Sequence, residues 1–328
     1  IAPGIYFRIA LGGVTGHQTF ASDWGVVVEP KNLLKVMTAL LRLFIRDGDR
    51  SNRKKARFKY LVEKRGLPGL LEDCEALLGF KLTRLPAQTT FQEKARHPAS
   101  THPHVGVFPQ KQLGLYYIGA SVPVGQITAK QLKSIAEIAE NYGSGDVRLT
   151  VWQNFLIPNV PEGFVETVCK RLNRLGFHTI PSPVRSGVIA CTGNKYCKYS
   201  ATDTKGHALE LAEYLEKRVK LDQPVNIHFT GCPHSCAQHY MGDIGLLGAK
   251  VKVNGESMEG YHVCLGGGFG NHQHVGRQIF TGIVFEELKS LIEKILKVYL
   301  THRQESEAFQ TFCNRHEIGK LQELFSPS

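Results

Sequence analysis

The segments ACTGNKYC (residues 190–197) and TGCPHSC (residues 230–236) place four cysteines in two close pairs. Four thiolates that converge on one point are the ligand set of a cubane iron–sulfur cluster. Structural zinc sites usually have two to four residues between paired ligands, whereas five residues separate Cys191 from Cys197. A chain of this length can build an ordinary core and does not need disulfides. The spacing therefore favours a cluster, with zinc and unrelated buried cysteines as the alternatives.

Regular elements are predicted on both sides of the second pair. PVNIHFTG (residues 224–231) alternates apolar residues, which predicts a half-buried strand that ends just before Cys232. Pro233 is expected to turn the chain there, and Gly231 to let the backbone approach a bulky group. HALELAEYLEKRV (residues 207–219) is helix-like and lies between the two pairs. A strand and a helix would thus hold all four sulfurs. His239 and Asp243 follow closely and are expected to be solvated or capping.

The chain contains a partial internal repeat. LGG at residues 11–13 precedes the apolar-periodic segment NLLKVMTALLRLFI, and LGG at residues 265–267 precedes the similar segment ELKSLIEKILKVYL. Matching tails start at Phe58 and Phe309. The repeat indicates a duplicated fold. Its second copy begins near residue 105, and only the last part of its first copy is present, so we expect the chain to be a fragment of a longer protein.

The order of strands and helices predicts a mixed α/β fold (α+β mixed) in several parts. Residues 1–85 end the first copy, 86–109 form a linker rich in Pro and His, 110–180 form a small βαβ layer, and 183–328 form the cysteine-bearing domain. Thr128 and Gln131 predict a capping box for a helix that Gly143 ends. DVRLTVWQNFLIPNV (residues 146–160) is expected to be one long strand. The spacing of LGGGFG (residues 265–270) argues against a doubly wound nucleotide fold.

Composition describes a globular chain that does not span a membrane. Of its 328 residues, 42% are hydrophobic and 21% charged, and charged residues interrupt every long apolar segment. The remaining cysteines stand singly in apolar surroundings and are expected to be small buried hydrophobes: Cys74, Cys169, Cys264 and Cys313.

Several segments resemble one known family, the sirohaem nitrite and sulfite reductases. The resemblance is carried by ACTGNKYC, TGCPHSCAQHYMGDIGLLG (residues 230–248), SVPVG (121–125), YGSGDVRLTVWQNFLIPNV (142–160) and LGGGFG, and it extends from about Leu11 to Val298. It implies a duplicated nitrite/sulfite reductase fold with a ferredoxin-like half domain and a mixed-sheet domain that holds the cluster and sirohaem.

The resemblance also implies ligands, carried over position by position. The cysteines at 191, 197, 232 and 236 would hold a 4Fe-4S cluster, and Cys236 would also be the axial ligand of sirohaem iron. His234 is expected to donate a hydrogen bond near a cluster sulfur. The basic segment containing Arg50, Arg53 and Lys54 supplies candidates for the sirohaem carboxylates. The groups that grip the substrate anion belong to the first half in this family, so no catalytic residue is assigned.

The function that the resemblance implies is the six-electron reduction of nitrite to ammonium. SCAQ (residues 235–238), GDIGLLG (242–248) and LTVWQNFLIPNV (149–160) favour nitrite. Assimilatory reduction of sulfite to sulfide is one alternative, and a non-catalytic, cluster-bearing electron-transfer subunit is another.

The net charge of +11 has three interpretations. The excess basic residues form a solvated surface, a nucleic-acid site at RSNRKKARFK (residues 50–59), or a docking surface for an acidic carrier. No sequence-specific motif supports nucleic acid, so we favour a solvated surface together with carrier docking. The family resemblance implies that the carrier is a ferredoxin. We further expect a monomer in a reducing compartment, the cytoplasm or, in a plant or alga, the plastid stroma.

Overall fold

The computed structural model describes residues 4–86 and 104–326. These residues belong to two compact units, divided between Lys94 and Ala95. Each unit is described by itself.

The first unit is a three-stranded antiparallel sheet covered by helices. Its elements are β1 (Phe7–Leu11), β2 (Ser22–Val28), α1 (Pro30–Asp47), α2 (Phe58–Leu78) and β3 (Thr83–Arg84), with strand order β1-β2-β3. In α1, Val36, Ala39, Leu40 and Leu43 are buried at the three- and four-residue spacing of one helix face. Gly79 ends α2 in the left-handed conformation with φ 74°, which glycine adopts without strain.

The second unit begins with a four-stranded antiparallel sheet. Its elements are β4 (Gly106–Pro109), β5 (Leu115–Ala120), α3 (Ala129–Tyr142), β6 (Arg148–Leu149), β7 (Phe155–Pro161) and α4 (Val165–Arg174). The strand order β4-β5-β7-β6 makes β5 and β6 parallel, with β7 between them. This is the split βαβ arrangement of ferredoxin-like folds. The capping box of Thr128 and Gln131 is confirmed, and α3 ends at Gly143 as predicted.

The rest of the second unit is built on a five-stranded mixed sheet. Its elements are α5 (Pro183–Gly187), β8 (Val188–Ala190), α6 (Thr204–Glu216), β9 (Ile227–Thr230), β10 (Ile244–Val253), β11 (Glu256–Leu265), β12 (Arg277–Val284), α7 (Phe285–His302), α8 (Phe309–Asn314) and α9 (Ile318–Phe325). The order is β12-β11-β10-β9-β8, with β8, β9 and β10 parallel and the other pairs antiparallel. The mixed α/β fold class is confirmed.

Three local predictions differ from the structure. The last residues of the expected linker, Gly106–Pro109, pair with β5 as strand β4, while residues 87–103 lie outside the described residues. The expected long strand is a hairpin of β6 and β7, because Gln153 adopts φ 60° in the turn between them. Strand β9 is buried on both faces, as is usual for strands of a parallel sheet, whose two faces are covered by other elements.

The single cysteines lie as expected, with Cys74, Cys264 and Cys313 buried and Cys169 half-buried. Among the described residues, no helix combines the length and the apolarity needed to cross a membrane.

Candidate cofactor site

Two neighbouring parallel strands bring the first and third cysteines of the motif to one edge of the sheet. Cys191 follows β8 directly, and its backbone NH donates to Phe229 O in β9 at 2.9 Å. Cys232 lies two residues beyond the end of β9. The NH of the intervening Gly231 is 3.3 Å from Cys191 Sγ. The carboxyl ends of parallel strands meet at one edge, so this topology places Cys191 beside the loop that carries Cys232.

The loop of residues 192–203, which joins β8 to α6, carries Cys197. The backbone NH of Cys197 donates to Gly193 O at 3.0 Å, which closes a tight turn around the cysteine. The NH of Ala201 donates to Gly231 O at 2.7 Å and ties this loop to the second cysteine loop. The Thr204 hydroxyl donates to Cys191 O at 2.8 Å at the start of α6. Both cysteine loops are thus held by backbone hydrogen bonds.

Glu259 of β11 fixes the same loop from the outside. Its carboxylate accepts hydrogen bonds from the backbone NH of Asp203 at 2.8 Å and from Asn194 Nδ2 at 2.6 Å. Lys250 Nζ lies 3.2 Å from the carboxylate. Burial opposes ionisation of Glu259, but these hydrogen bonds, led by that from the Asp203 NH, hold its pKa below the usual value. No sequence pattern indicated this contact, since Glu259 lies far along the chain from the loop.

Gly231 is required by the close approach of the two loops. A Cβ atom at this position would lie 1.8 Å from Ser200 Oγ and 2.8 Å from Ser200 Cβ. The group that approaches Gly231 is therefore the side chain of Ser200, in the loop of residues 192–203.

The second cysteine loop presents Cys236 to solvent beside a cavity. Ser235 and Gln238 adopt φ 56° and 53°, a left-handed conformation that is uncommon for residues other than glycine. Ser235 lies within a turn in which its NH donates to Cys232 O at 3.2 Å. Cys236, the exposed member of the four cysteines, lines a cavity of about 250 Å³ with Trp152, His228 and other residues.

The four thiols influence one another electrostatically. Partial burial raises the pKa of Cys236, and so do the neighbouring thiols of Cys191, Cys232 and Cys197. All eight cysteines are free, which removes the disulfide interpretation. Within residues 4–86 and 104–326, no three His, Cys, Asp or Glu side chains are grouped closely enough to hold a single metal ion. A cubane distributes its four thiolates over four irons, so this donor set fits a cluster.

His234, which was expected to donate a hydrogen bond near a cluster sulfur, lies beside Cys232. Its Nδ1 is 3.4 Å from Cys232 Sγ, and the ring of Tyr199 packs edge-on against it at 5.2 Å between centroids. In the first unit, Arg50, Arg53 and Lys54 are exposed, and Arg50 donates to Ile45 O at 2.8 Å.

The cavity beside Cys236 includes residues whose role could not be read from the sequence. Trp152 packs against the rings of His228 and Phe269, with centroids 5.7 and 4.6 Å away. Gln153 exchanges hydrogen bonds with the backbone of Ala190, at 2.8 and 3.3 Å. The turn between β6 and β7 carries both residues and brings the half domain into contact with the region of the cysteine loops. Because one long strand was predicted in place of this hairpin, the contact was not predicted.

Comparison with known proteins identifies the family. A model described as the nitrite and sulphite reductase 4Fe-4S domain matches residues 2–82 and again 184–325. A model described as the nitrite/sulfite reductase ferredoxin-like half domain matches residues 108–175. The first model therefore matches two separate segments, which agrees with the duplicated fold.

Individual relatives are longer than this chain. A ferredoxin–nitrite reductase of Synechococcus elongatus is 35% identical over 265 residues, covering 81% of this chain and 50% of that protein. A ferredoxin sulfite reductase of Mycolicibacterium paratuberculosis is 32% identical over 97% of this chain and 57% of that protein. The solved structure of the NirA protein of Mycobacterium tuberculosis aligns with a TM-score of 0.87 and 30% identity, over 97% of this chain and 58% of that one.

The chain spans about half the length of these relatives. The family implies two cofactors, a 4Fe-4S cluster and sirohaem, and the four free, neighbouring thiols beside an open cavity fit them. This chain belongs to the nitrite and sulfite reductase family of oxidoreductases.

Proposed function

We propose that the protein containing this chain reduces nitrite to ammonium, with Cys191, Cys197, Cys232 and Cys236 as the cluster ligands and Cys236 as the axial ligand of sirohaem iron. The observation that carries the proposal is the exposed Cys236 thiol at the mouth of a cavity, electrostatically coupled to the three other thiols. A thiol that serves both cofactors must face the cluster and the open space at once, and Cys236 is the one of the four that lines the cavity.

The reaction consumes six electrons and eight protons and releases two water molecules, while a ferredoxin delivers one electron at a time. Cys236, as a ligand of both the cluster and the sirohaem iron, would give those electrons a short path. The chain's own residues would orient this pair: backbone hydrogen bonds fix both cysteine loops, and Nδ1 of His234, 3.4 Å from Cys232 Sγ, would donate to that sulfur when it carries the proton. Arg50, Arg53 and Lys54 remain candidates for the sirohaem carboxylates.

Nitrite is the preferred substrate on two grounds. The relatives from Synechococcus and from chloroplasts are ferredoxin–nitrite reductases, and the motifs around Cys236 resemble theirs. Sulfite is the second candidate, because the sulfite reductase of Mycolicibacterium paratuberculosis matches 97% of the chain. Both substrates are small anions reduced by six electrons, so the choice depends on anion-binding groups not assigned in this chain.

The domain scheme of the proposal follows the sequence. Residues 1–85 end the first sirohaem-type domain, 86–105 connect, 106–180 form the ferredoxin-like half domain with strand β4 included, and 183–328 form the cluster and sirohaem domain. The family matches at 2–82, 108–175 and 184–325 support these divisions. An acidic ferredoxin is the proposed donor, supported by the names of the relatives and the net charge of +11. A monomer in a reducing compartment, either cytoplasm or plastid stroma, completes the proposal.

Substitution of the shared ligand tests the proposal in the intact protein. Cys236→Ser is expected to remove the sirohaem absorption bands and to damage the cluster, while Cys264→Ala, a buried thiol in β11, keeps both. Ammonium formed per nitrite consumed, with reduced ferredoxin as donor, measures the activity, and sulfide formed from sulfite is assayed in parallel. Full retention of both cofactors in Cys236→Ser would refute the ligand assignment. Turnover of sulfite but not nitrite would favour the second candidate.

A further inference from the structure

Lys205 is a half-buried lysine whose ammonium group lies beside the first cysteine. It is the second residue of α6, and its Nζ donates to Ala190 O at 3.4 Å and, more closely, to Val124 O. Ala190 immediately precedes Cys191. The ammonium group is therefore held against the backbone that positions a proposed cluster ligand.

One carbonyl that holds Lys205 comes from an unusual backbone conformation. Val124 has φ 46° and is almost fully buried within the short turn Pro123–Gly125. A β-branched residue with positive φ is strained, and such strain persists only where the surrounding structure enforces it. The Lys205 ammonium on the Val124 carbonyl is one of the contacts that enforce it. The lysine thus links the half domain to the residue before Cys191.

The charge of Lys205 acts on the cysteine site. Burial lowers the pKa of Lys205, and the negative charge of the Cys191 thiolate opposes that lowering. Among the described residues, Cys191 is the charged group that affects Lys205, whereas Lys195 in the neighbouring loop is exposed and paired with Asp203 at 3.1 Å. A cation that is half-buried and not neutralised by a carboxylate acts more strongly than an exposed, paired one.

We propose that Lys205 is a positioning residue that raises the reduction potential of the 4Fe-4S cluster. The inference rests on the cluster assignment made under the proposed function. When the cluster takes up one electron, the carrier is oxidised by one electron, no bond is broken, and the negative charge of the site increases by one. A fixed cation next to Cys191 stabilises this added charge and therefore favours the reduced cluster.

Three substitutions separate charge from structure in the intact, cofactor-loaded protein. Lys205→Gln keeps a hydrogen-bond donor for the two carbonyls but removes the charge, Lys205→Arg keeps the charge, and Lys195→Met removes an exposed charge nearby. The midpoint potential of the cluster is measured by a redox titration followed by electron paramagnetic resonance. We expect a negative shift in Lys205→Gln that is severalfold larger than in Lys195→Met, and a potential close to the wild-type value in Lys205→Arg.

The outcomes distinguish this inference from the proposed function. A wild-type protein that carries no cluster would refute the cluster assignment itself. A cluster present at full content, with the same potential in Lys205→Gln as in the wild type, would overturn only the role of Lys205. Equal shifts in Lys205→Gln and Lys205→Arg would show that packing, and not charge, sets the potential. If Lys205→Gln loses the cluster, the midpoint potential of Lys205→Arg decides. A shift in Lys205→Arg that is as large as that in Lys195→Met, or larger, overturns the role of Lys205.

Discussion

At the scale of single residues, uncommon backbone conformations occur around the cysteine site. Val124, Gln153, Ser235 and Gln238 all have positive φ although none is glycine. The last three also border the cavity or lie in the loop of Cys236. Such conformations cost free energy, and they are retained where they place functional groups. The loop that carries Cys236 therefore owes its shape to tertiary contacts, and local preference alone would not produce it.

Gly231 gives a prediction at this scale. Gly231→Ala introduces a Cβ that would lie 1.8 Å from Ser200 Oγ, so we expect the free energy of unfolding to fall by about 1–3 kcal/mol. The cluster content should fall with it, because the clash separates the two cysteine loops. Urea unfolding of the apoprotein and iron analysis of the holoprotein measure the two effects.

Removing the clashing partner provides the control. The double variant Gly231→Ala/Ser200→Gly removes both close Ser200 atoms and should recover most of the loss, although it also removes the hydrogen bond from Ser200 Oγ to Thr202 O at 2.9 Å. If the double variant is no more stable than Gly231→Ala alone, the contact with Ser200 is not the reason for the glycine.

The sequence indicated candidate ligands, but it did not indicate how deeply their surroundings are buried. His239 and Asp243 were expected to be solvated or capping, but His239 is fully buried and Asp243 is half-buried. Burial lowers the pKa of His239 to about 4 and raises that of Asp243 to about 6. Asn226 explains how a carboxyl group is accommodated there, since its NH donates to Asp243 Oδ2 at 2.8 Å. Partners so distant in sequence leave no periodic signal, which is why local patterns could not reveal them.

At the scale of elements, prediction succeeded where one local signal dominates. Helix α3 has a complete capping box, and its boundaries were predicted correctly. Strand β9 was found, but its burial was misjudged, because alternation of residues cannot show that His228 and Thr230 face protein and not solvent. The hairpin of β6 and β7 was missed, because its turn depends on Gln153 at positive φ and contains no glycine or proline.

The contact between β11 and the loop of Cys197 gives a prediction at this scale. Glu259→Ala leaves the backbone NH of Asp203 and the amide of Asn194 without their acceptor, so the loop should loosen. We expect the free energy of unfolding to fall by about 1–3 kcal/mol and the cluster to be lost faster to an iron chelator. Glu256→Ala, at the exposed start of β11, is the matched control. Equal rates of cluster loss in both variants would show that Glu259 does not hold the loop.

At the scale of the whole molecule, the two copies of the repeat use the same sequence of elements. In each, a strand that ends at the leucine of LGG pairs with an antiparallel strand, and an 18-residue helix follows. The helix α1 begins 19 positions after Leu11, and α7 begins 20 positions after Leu265. The repeat was visible in the sequence because both copies preserve the helix period and the turn glycines. In the second copy, the cysteine loops precede these shared elements along the chain.

The net charge leads to a prediction about the electron donor. The chain carries +11, and long-range attraction between exposed charges is screened beyond about 8–10 Å at physiological salt. If this charge steers an acidic ferredoxin, the rate of association should fall by at least about tenfold from low to high ionic strength. Stopped-flow mixing of the oxidised protein with reduced ferredoxin measures the rate, and a small uncharged donor, whose rate should hardly change, is the control. A rate with ferredoxin that does not depend on salt would mean that the positive charge serves only as solvated surface.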